Sequence, residues 1–372
     1  MYKIYFNKDL IKDRPWTTFL TPILGIYKYK WKWTIWTEYL YYDEDQLQEW
    51  ESNWKKLIEY SNINECDFCI RPRNFYIDSF PELKKEAQKA KEYKKKIIVF
   101  ADTDLESPIP YIDNMIVFRT SLTNSSPKYE YSLPDFVKPL YMSIKKNNYD
   151  YSIWYVGYGW KSSFKLRLRD KIRNIKIFYK TINFIIFNET IHKLLKNLDR
   201  FCIEPHIKIN SLTFQILQRQ KWLIVRWKVV KNLENSNYKF NYIKRDIVLN
   251  PKVVWDLRKQ YIDNINNSTF IMVARWHWNH AYRLYECMSV GKIPLFIDTN
   301  CRLPLEDRIN YKDLFLWIPY KNINDIDKYI NEYLHKHKNE LDKIEDEIKN
   351  IYATNLRMYP FYQKILNWWY II

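Results

Sequence analysis

Short apolar runs alternate with longer segments of helical spacing along most of the chain, and each rhythm predicts a backbone. Residues 45–60 bring Gln46, Trp50, Trp54, Leu57 and Ile58 onto one helical face. The run Cys-Asp-Phe-Cys-Ile-Arg-Pro at 66–72 predicts a short strand. Residues 81–95 open on Pro81 and continue in helix formers, which predicts a surface helix. KIIVFADTD at 96–104 predicts a buried strand ending in carboxylates, and 116–122 predicts another. The stretch 123–150 carries Pro127, Pro134 and Pro139 and reads as loop and linker. A new strand opens at Tyr151 and ends at Gly157 and Gly159, while 174–250 suits strand and helix alike.

From residue 251 the pattern sharpens. Residues 254–265 predict a helix and 269–274 a buried strand. Asn279 or His280 can cap a further helix that reaches Ser289 or Val290, with Gly291 just past its end. Residues 292–298 predict a strand, and isoleucines at helical spacing over 323–351 predict one long amphipathic helix or a pair. The repeated strand–helix order predicts α/β layers with parallel sheets. A length of 372 residues predicts two domains.

Composition narrows the chemistry. With 47% hydrophobic and 18% aromatic residues the chain has ample core and is not a disordered one. The four glycines, Gly25, Gly157, Gly159 and Gly291, can spell neither a P-loop nor a dinucleotide fingerprint. Any phosphate is therefore held by Arg, Lys or a helix N-terminus. No apolar stretch approaches the roughly 18 residues of a membrane span, and the first fifteen residues carry no leader-like apolar core. An odd set of five cysteines fits a reducing compartment, so a cytoplasmic protein is expected. Cys66 and Cys69 form a lone CxxC with no second pair to complete a zinc site, which favours a partly buried strand. His192, His206, His335 and His337 make no metal-like arrangement.

The net charge of +17 is concentrated: residues 151–232 hold seventeen Lys or Arg against four acids. Such a patch suits nucleic acid, a nucleoside-diphosphate substrate, or merely a solvated surface. At 27–33, Tyr-Lys-Tyr-Lys-Trp-Lys-Trp resembles a base-stacking platform, but its period of two favours a half-buried strand.

Arg283 and Glu286 stand three apart on the predicted helix and share a face. A cation and a carboxylate near a helix N-terminus, with Arg275 ending the strand before it, suit a nucleotide site at a sheet edge. By spacing alone the intrahelical salt bridge is the favoured reading of the pair. The wider segment, Tyr282-Arg-Leu-Tyr-Glu-Cys-Met-Ser-Val-Gly-Lys-Ile-Pro-Leu-Phe-Ile followed by Arg302-Leu-Pro-Leu, resembles the C-terminal half of exostosin-type glycosyltransferases. That family reads Ser-x-Arg-Leu-x-Glu-Ala-x-x-x-Gly-Cys-Ile-Pro-Val-Ile and then Leu-Pro-Phe. Arg283, Leu284, Glu286, Gly291, Ile293, Pro294, Leu303 and Pro304 match in register, and Phe315-Leu-Trp-Ile-Pro is also similar.

The resemblance implies a GT-B architecture of two Rossmann-like domains facing a cleft. It divides the chain into an acceptor-side domain over 1–145, a nucleotide-sugar domain over 146–350, and a helical segment over 351–372 that crosses back to the first domain. It implies inverting transfer from a nucleotide sugar, commonly UDP-linked, to a glycan or glycoconjugate acceptor. Arg283 then binds phosphate and Glu286 the ribose, with Arg275, His277, Asn279, Tyr282, Gly157 and Arg167 around the donor. Lys161 is a further cation for the leaving group. The family's Pro-x-Gly is replaced here by Arg275-Trp-His-Trp-Asn-His and its Cys after Gly by Lys292, which puts His277 or Lys292 at the diphosphate. Asp102, Asp104 and Glu106, with Glu130 behind them, are the candidate bases. Asp102-Thr-Asp104 also spells the metal-binding DxD of the other glycosyltransferase fold, but the cations make an obligatory metal or other cofactor unnecessary. The chain resembles viral or microbial members rather than membrane-anchored ones, and the aromatic C-terminus is expected to pack on the first domain. The alternative is a nucleic-acid-binding protein using residues 151–232.

Overall fold

The structure, a computed structural model, describes residues 1–11, 44–75, 79–101, 109–137, 139–140, 150–157, 221–244, 251–275, 279 and 281–369. Its strands form two sheets whose pairings are all parallel. The first holds β1 (Tyr2–Tyr5), β2 (Ile58–Tyr60), β3 (Phe68–Ile70), β4 (Lys96–Ala101), β5 (Met115–Arg119) and β6 (Glu130–Ser132), in the order β2-β1-β3-β4-β5-β6. The second holds β7 (Ile153–Gly157), β8 (Phe240–Lys244), β9 (Phe270–Val273), β10 (Ile293–Asp298) and β11 (Leu316–Pro319), in the order β11-β10-β9-β7-β8. Central strands read as unbroken apolar runs because both of their faces are covered. In β4, Ile98 and Phe100 enter one core while Ile97, Val99 and Ala101 enter another.

The α-helices among the described residues are α1 (Glu44–Asn53), α2 (Phe80–Glu92), α3 (Lys221–Glu234), α4 (Pro251–Asn266), α5 (Tyr282–Ser289), α6 (Tyr311–Leu314), α7 (Ile326–His337), α8 (Leu341–Ile351) and α9 (Met358–Trp369). This is a mixed α/β architecture, compatible with two Rossmann-like domains. The expected division at 145/146 falls within residues 141–149, outside the described residues, as do 27–33 and 158–220 of the basic stretch.

Several elements differ from the sequence pattern for local reasons. Residues 45–60 do not form one helix: α1 stops at Asn53, a tighter turn spans Trp54–Lys56, and Ile58 enters β2. β-branched Ile58 suits the sheet edge, where it lies opposite Tyr2, whose N–H donates to the Leu57 carbonyl at 2.6 Å. β6 interrupts the stretch expected to be loop, pairing Glu130 with Val117. The 323–351 segment is a pair, α7 and α8, broken over residues 338–340. Gly291 adopts φ +75° just past α5, and a Cβ there would stand 2.7 Å from the Glu345 carbonyl oxygen.

The last helix follows the second sheet in the chain yet packs on the first. Phe361, Tyr362, Ile365 and Leu366 of α9 share a core with Ile4, Phe68, Ile98 and Phe118. Buried Gln46 ties α1 to both ends of this crossing. Its amide donates to the Val137 carbonyl at 2.9 Å and accepts the Met358 N–H at 2.8 Å.

Both sheets share one connectivity, in which the second strand lies outside the first and the third returns to the first strand's other side. The direction of winding reverses between β1 and β3 in one sheet and between β7 and β9 in the other. Crevices that hold ligands in open α/β sheets lie at the carboxyl ends of such neighbouring strands.

Candidate functional site

Three arginines gather at the carboxyl ends of β7 and β9. Arg283, in the first turn of α5, is half-buried and donates through Nη2 to the Val156 carbonyl of β7 at 2.5 Å. Its guanidinium lies 4.7 Å from the Tyr155 ring centre and 5.6 Å from that of Tyr261. Among the described residues no carboxylate forms an ion pair with it, and its buried Nε has no hydrogen-bond partner. A half-buried cation left in this state is costly, and an anion placed beside it would offset that cost.

Arg226 approaches from α3. It is buried, donates to the carbonyls of Arg275 (3.0 Å) and Ala274 (3.2 Å), and lies 5.9 Å from the other guanidinium's partner, the Tyr155 ring. Burial pushes its pKa down to about 10. Arg275 follows β9, is 3% exposed, and donates to Asn279 Oδ1 at 3.2 Å. The strand ends thus present carbonyls that collect guanidinium groups.

Gly157 closes β7. A Cβ there would stand 2.7 Å from the Tyr155 hydroxyl, so any larger residue pushes on the ring that Arg283 covers. Tyr282 is half-buried against the core of the second sheet.

Glu286 does not pair with Arg283, so the intrahelical salt bridge is not formed. Its carboxylate instead accepts from Arg258 Nη1 at 2.8 Å and from the Tyr261 hydroxyl at 2.5 Å. Both partners come from α4, three residues apart and therefore on one face. Burial, with Glu286 alongside, holds the Tyr261 phenol well above its ordinary pKa.

Asn279 is 2% exposed and does not cap α5; the capping position is Ala281, whose side chain caps nothing. Asn279 joins the two sheets. Its N–H donates to Ser121 Oγ (3.0 Å), its amide nitrogen to the Leu122 carbonyl (3.1 Å), and its Oδ1 accepts from Arg275 and Thr299. Arg302 adds a second clasp, donating to the carbonyls of Ser126 (2.7 Å) and Glu130 (3.1 Å). Loops leaving the carboxyl ends of β5, β9 and β10 therefore touch one another. Asn279→Ala is expected to cost about 3 kcal/mol, since buried donors and acceptors lose their partners; urea denaturation measures it.

Other expected positions fall elsewhere. Lys292 precedes β10, at the opposite edge from Arg283, and pairs with Glu345 at 3.6 Å. It therefore lies away from the carboxyl ends of β7 and β9. Glu130 is wholly buried, held by Arg119 at 3.1 Å and by the Ile109 N–H at 2.7 Å, which leaves it structural. Asp102, Asp104, Glu106, Lys161, Arg167 and His277 lie outside the described residues. Cys66 and Cys69 are buried free thiols whose pKa values burial raises, Cys69 to about 12, so neither is a ready nucleophile. Among the described residues no group of three His, Cys, Asp or Glu side chains could hold a metal ion, and no helix is long and apolar enough to cross a membrane.

Arg226, Arg258, Tyr155 and Tyr261 were not anticipated. Arg226 carries a readable signal: it shares a helical face with Val229, Val230 and Leu233, all buried, where a solvated arginine would be out of place. No protein-family model matches the chain, and no curated protein matches it.

Proposed function

We propose that the chain is an exostosin-like glycosyltransferase that binds a nucleotide-sugar donor, UDP-linked by resemblance, at the β7/β9 edge. The observation that carries this reading is Arg283: a half-buried guanidinium at a strand-order reversal, walled by two tyrosines and lacking a carboxylate among the described residues. A diphosphate supplies the missing charge. Arg275 and Arg226 strengthen the positive field there, as the arginines of a glycine-poor phosphate site must.

In inverting transfer a base takes the proton of the acceptor hydroxyl, whose oxygen bonds to the anomeric carbon from the face opposite the leaving group. The bond to the diphosphate breaks with its electron pair, and the new negative charge falls on the terminal phosphate. Arg283 is fixed before the reaction begins and stabilises that charge without reorganising. The base belongs to the first sheet, where Asp102, Asp104 and Glu106 follow β4. The contacts from the β5 loop to Asn279 and from Arg302 to Ser126 support a cleft between the two carboxyl edges.

A thermal-shift screen of UDP, GDP, CDP and their sugar conjugates at physiological salt tests the reading. UDP and its conjugates are expected to raise the melting temperature through binding to the native state alone. If no nucleotide stabilises the fold while an oligonucleotide binds with steep salt dependence, the reading fails and the basic stretch becomes a nucleic-acid surface.

A further inference from the structure

The family resemblance puts Glu286 in contact with ligand, and its surroundings argue otherwise. Its side chain is 8% exposed, and each carboxylate oxygen already accepts a strong donor, Arg258 on one and the Tyr261 hydroxyl on the other. A ribose would have to bring two hydroxyls to oxygens that are both engaged and almost entirely covered. Tyr261 is itself buried, and its ring centre lies 5.6 Å from the Arg283 guanidinium, beside that of Tyr155 at 4.7 Å.

We propose that Glu286 is a positioning residue: with Arg258 it locks Tyr261, and Tyr261 holds the Arg283 guanidinium in its anion-binding pose. The inference rests on the anion-binding reading of Arg283 but assigns Glu286 no contact with the nucleotide. Three features support it. Two charge-assisted bonds converge on one carboxylate, and such bonds restrict a phenol more firmly than neutral ones do. The 2.5 Å hydroxyl bond fixes how the Tyr261 ring is turned. Among the described residues, Arg283 donates to the Val156 carbonyl and otherwise meets only the Tyr155 and Tyr261 side chains, so its orientation depends on the two tyrosines beside it. Remove the lock and the ring rotates, and the guanidinium loses one of its two walls.

A ribose ligand and a positioning residue differ in what they do to a ligand without ribose. Calorimetric affinities for inorganic pyrophosphate and for UDP are compared in wild type, Glu286→Gln, Tyr261→Phe and the double variant. Positioning predicts that Glu286→Gln weakens both ligands alike, by about tenfold, and that the double variant is no weaker than Tyr261→Phe alone, since both substitutions break one link. A loss confined to UDP, an unchanged affinity for both, or fully additive losses would each overturn the proposal.

A second measurement does not depend on ligand. The side-chain Nε–H resonance of Arg283, identified by its disappearance in Arg283→Lys, is expected to be shifted by the flanking rings and to move toward the solvent-exposed arginine position in Glu286→Gln and Tyr261→Phe. An unmoved resonance sinks the positioning role. Wild-type protein that binds neither pyrophosphate nor UDP sinks the donor-site reading instead, while the resonance still decides what Glu286 does.

Discussion

Arg283→Met is expected to abolish nucleotide-diphosphate binding and, at the same time, to raise the melting temperature of the ligand-free protein by a few degrees. The two effects have one cause. The guanidinium is half-buried with no described carboxylate beside it, so the folded protein carries part of its desolvation cost uncompensated. Replacing buried charge with an apolar side chain of similar length often stabilises by about 1–4 kcal/mol; the remaining exposure and the Val156 bond put this case near the bottom of that range. Binding moves the other way. Losing one partner of a buried charge pair costs about 2–5 kcal/mol, so calorimetry should register a loss of UDP affinity of at least about thirtyfold. Arg283→Lys keeps the charge but loses the planar group that lies against Tyr155 and Tyr261, and it should fall between the two. Full affinity in Arg283→Met would return the residue to a structural role, and a lowered melting temperature would mean that Val156 and the tyrosines already compensate it.

Stability set aside for ligand is a familiar trade in binding sites, and here its parts were unevenly legible. The strands that carry the site were readable because parallel strands buried on both faces must be apolar runs: β4, β9 and β10 fall within the runs 96–104, 269–274 and 292–298. The first turn of α5 was readable because Arg283, Leu284 and Glu286 sit in a dense motif ending at a glycine with positive φ. What spacing could not supply was partnership. Glu286 shares a face with Arg283 yet turns to Arg258, twenty-eight positions earlier, because α4 packs its Arg258–Tyr261 face there. Asn279 looked like a helix cap because caps are chosen by residue type. Its side chain is claimed instead by Leu122, more than 150 residues away. Ile58 looked helical because it completes an i, i+4 series, and sheet pairing with Tyr2 outweighed that propensity. Arg226 was hidden in the stretch 174–250, where both periodicities fit.

Asp102→Asn and Asp104→Asn separate catalysis from binding in the other half of the molecule. β4 ends at Ala101, beside β5, and the loop leaving β5 contacts Asn279 next to Arg275. β4 therefore ends at the edge that meets the proposed donor side, and in the proposed transfer the acceptor hydroxyl gives up its proton there. Asn matches Asp in shape and accepts no proton at neutral pH, so a base variant keeps its fold and its affinity for UDP while turnover falls by about 10²–10⁴. Nucleotide release from the donor, followed with water or a glycan as acceptor, reads that loss. The metal-binding alternative for the same two carboxylates predicts the reverse pattern. Donor affinity would fall with turnover, and a chelator would reproduce both losses in the wild-type protein. Wild-type turnover in both variants would remove the pair and leave Glu106→Gln as the next substitution to make, since Glu130 is already committed to Arg119 and the Ile109 N–H.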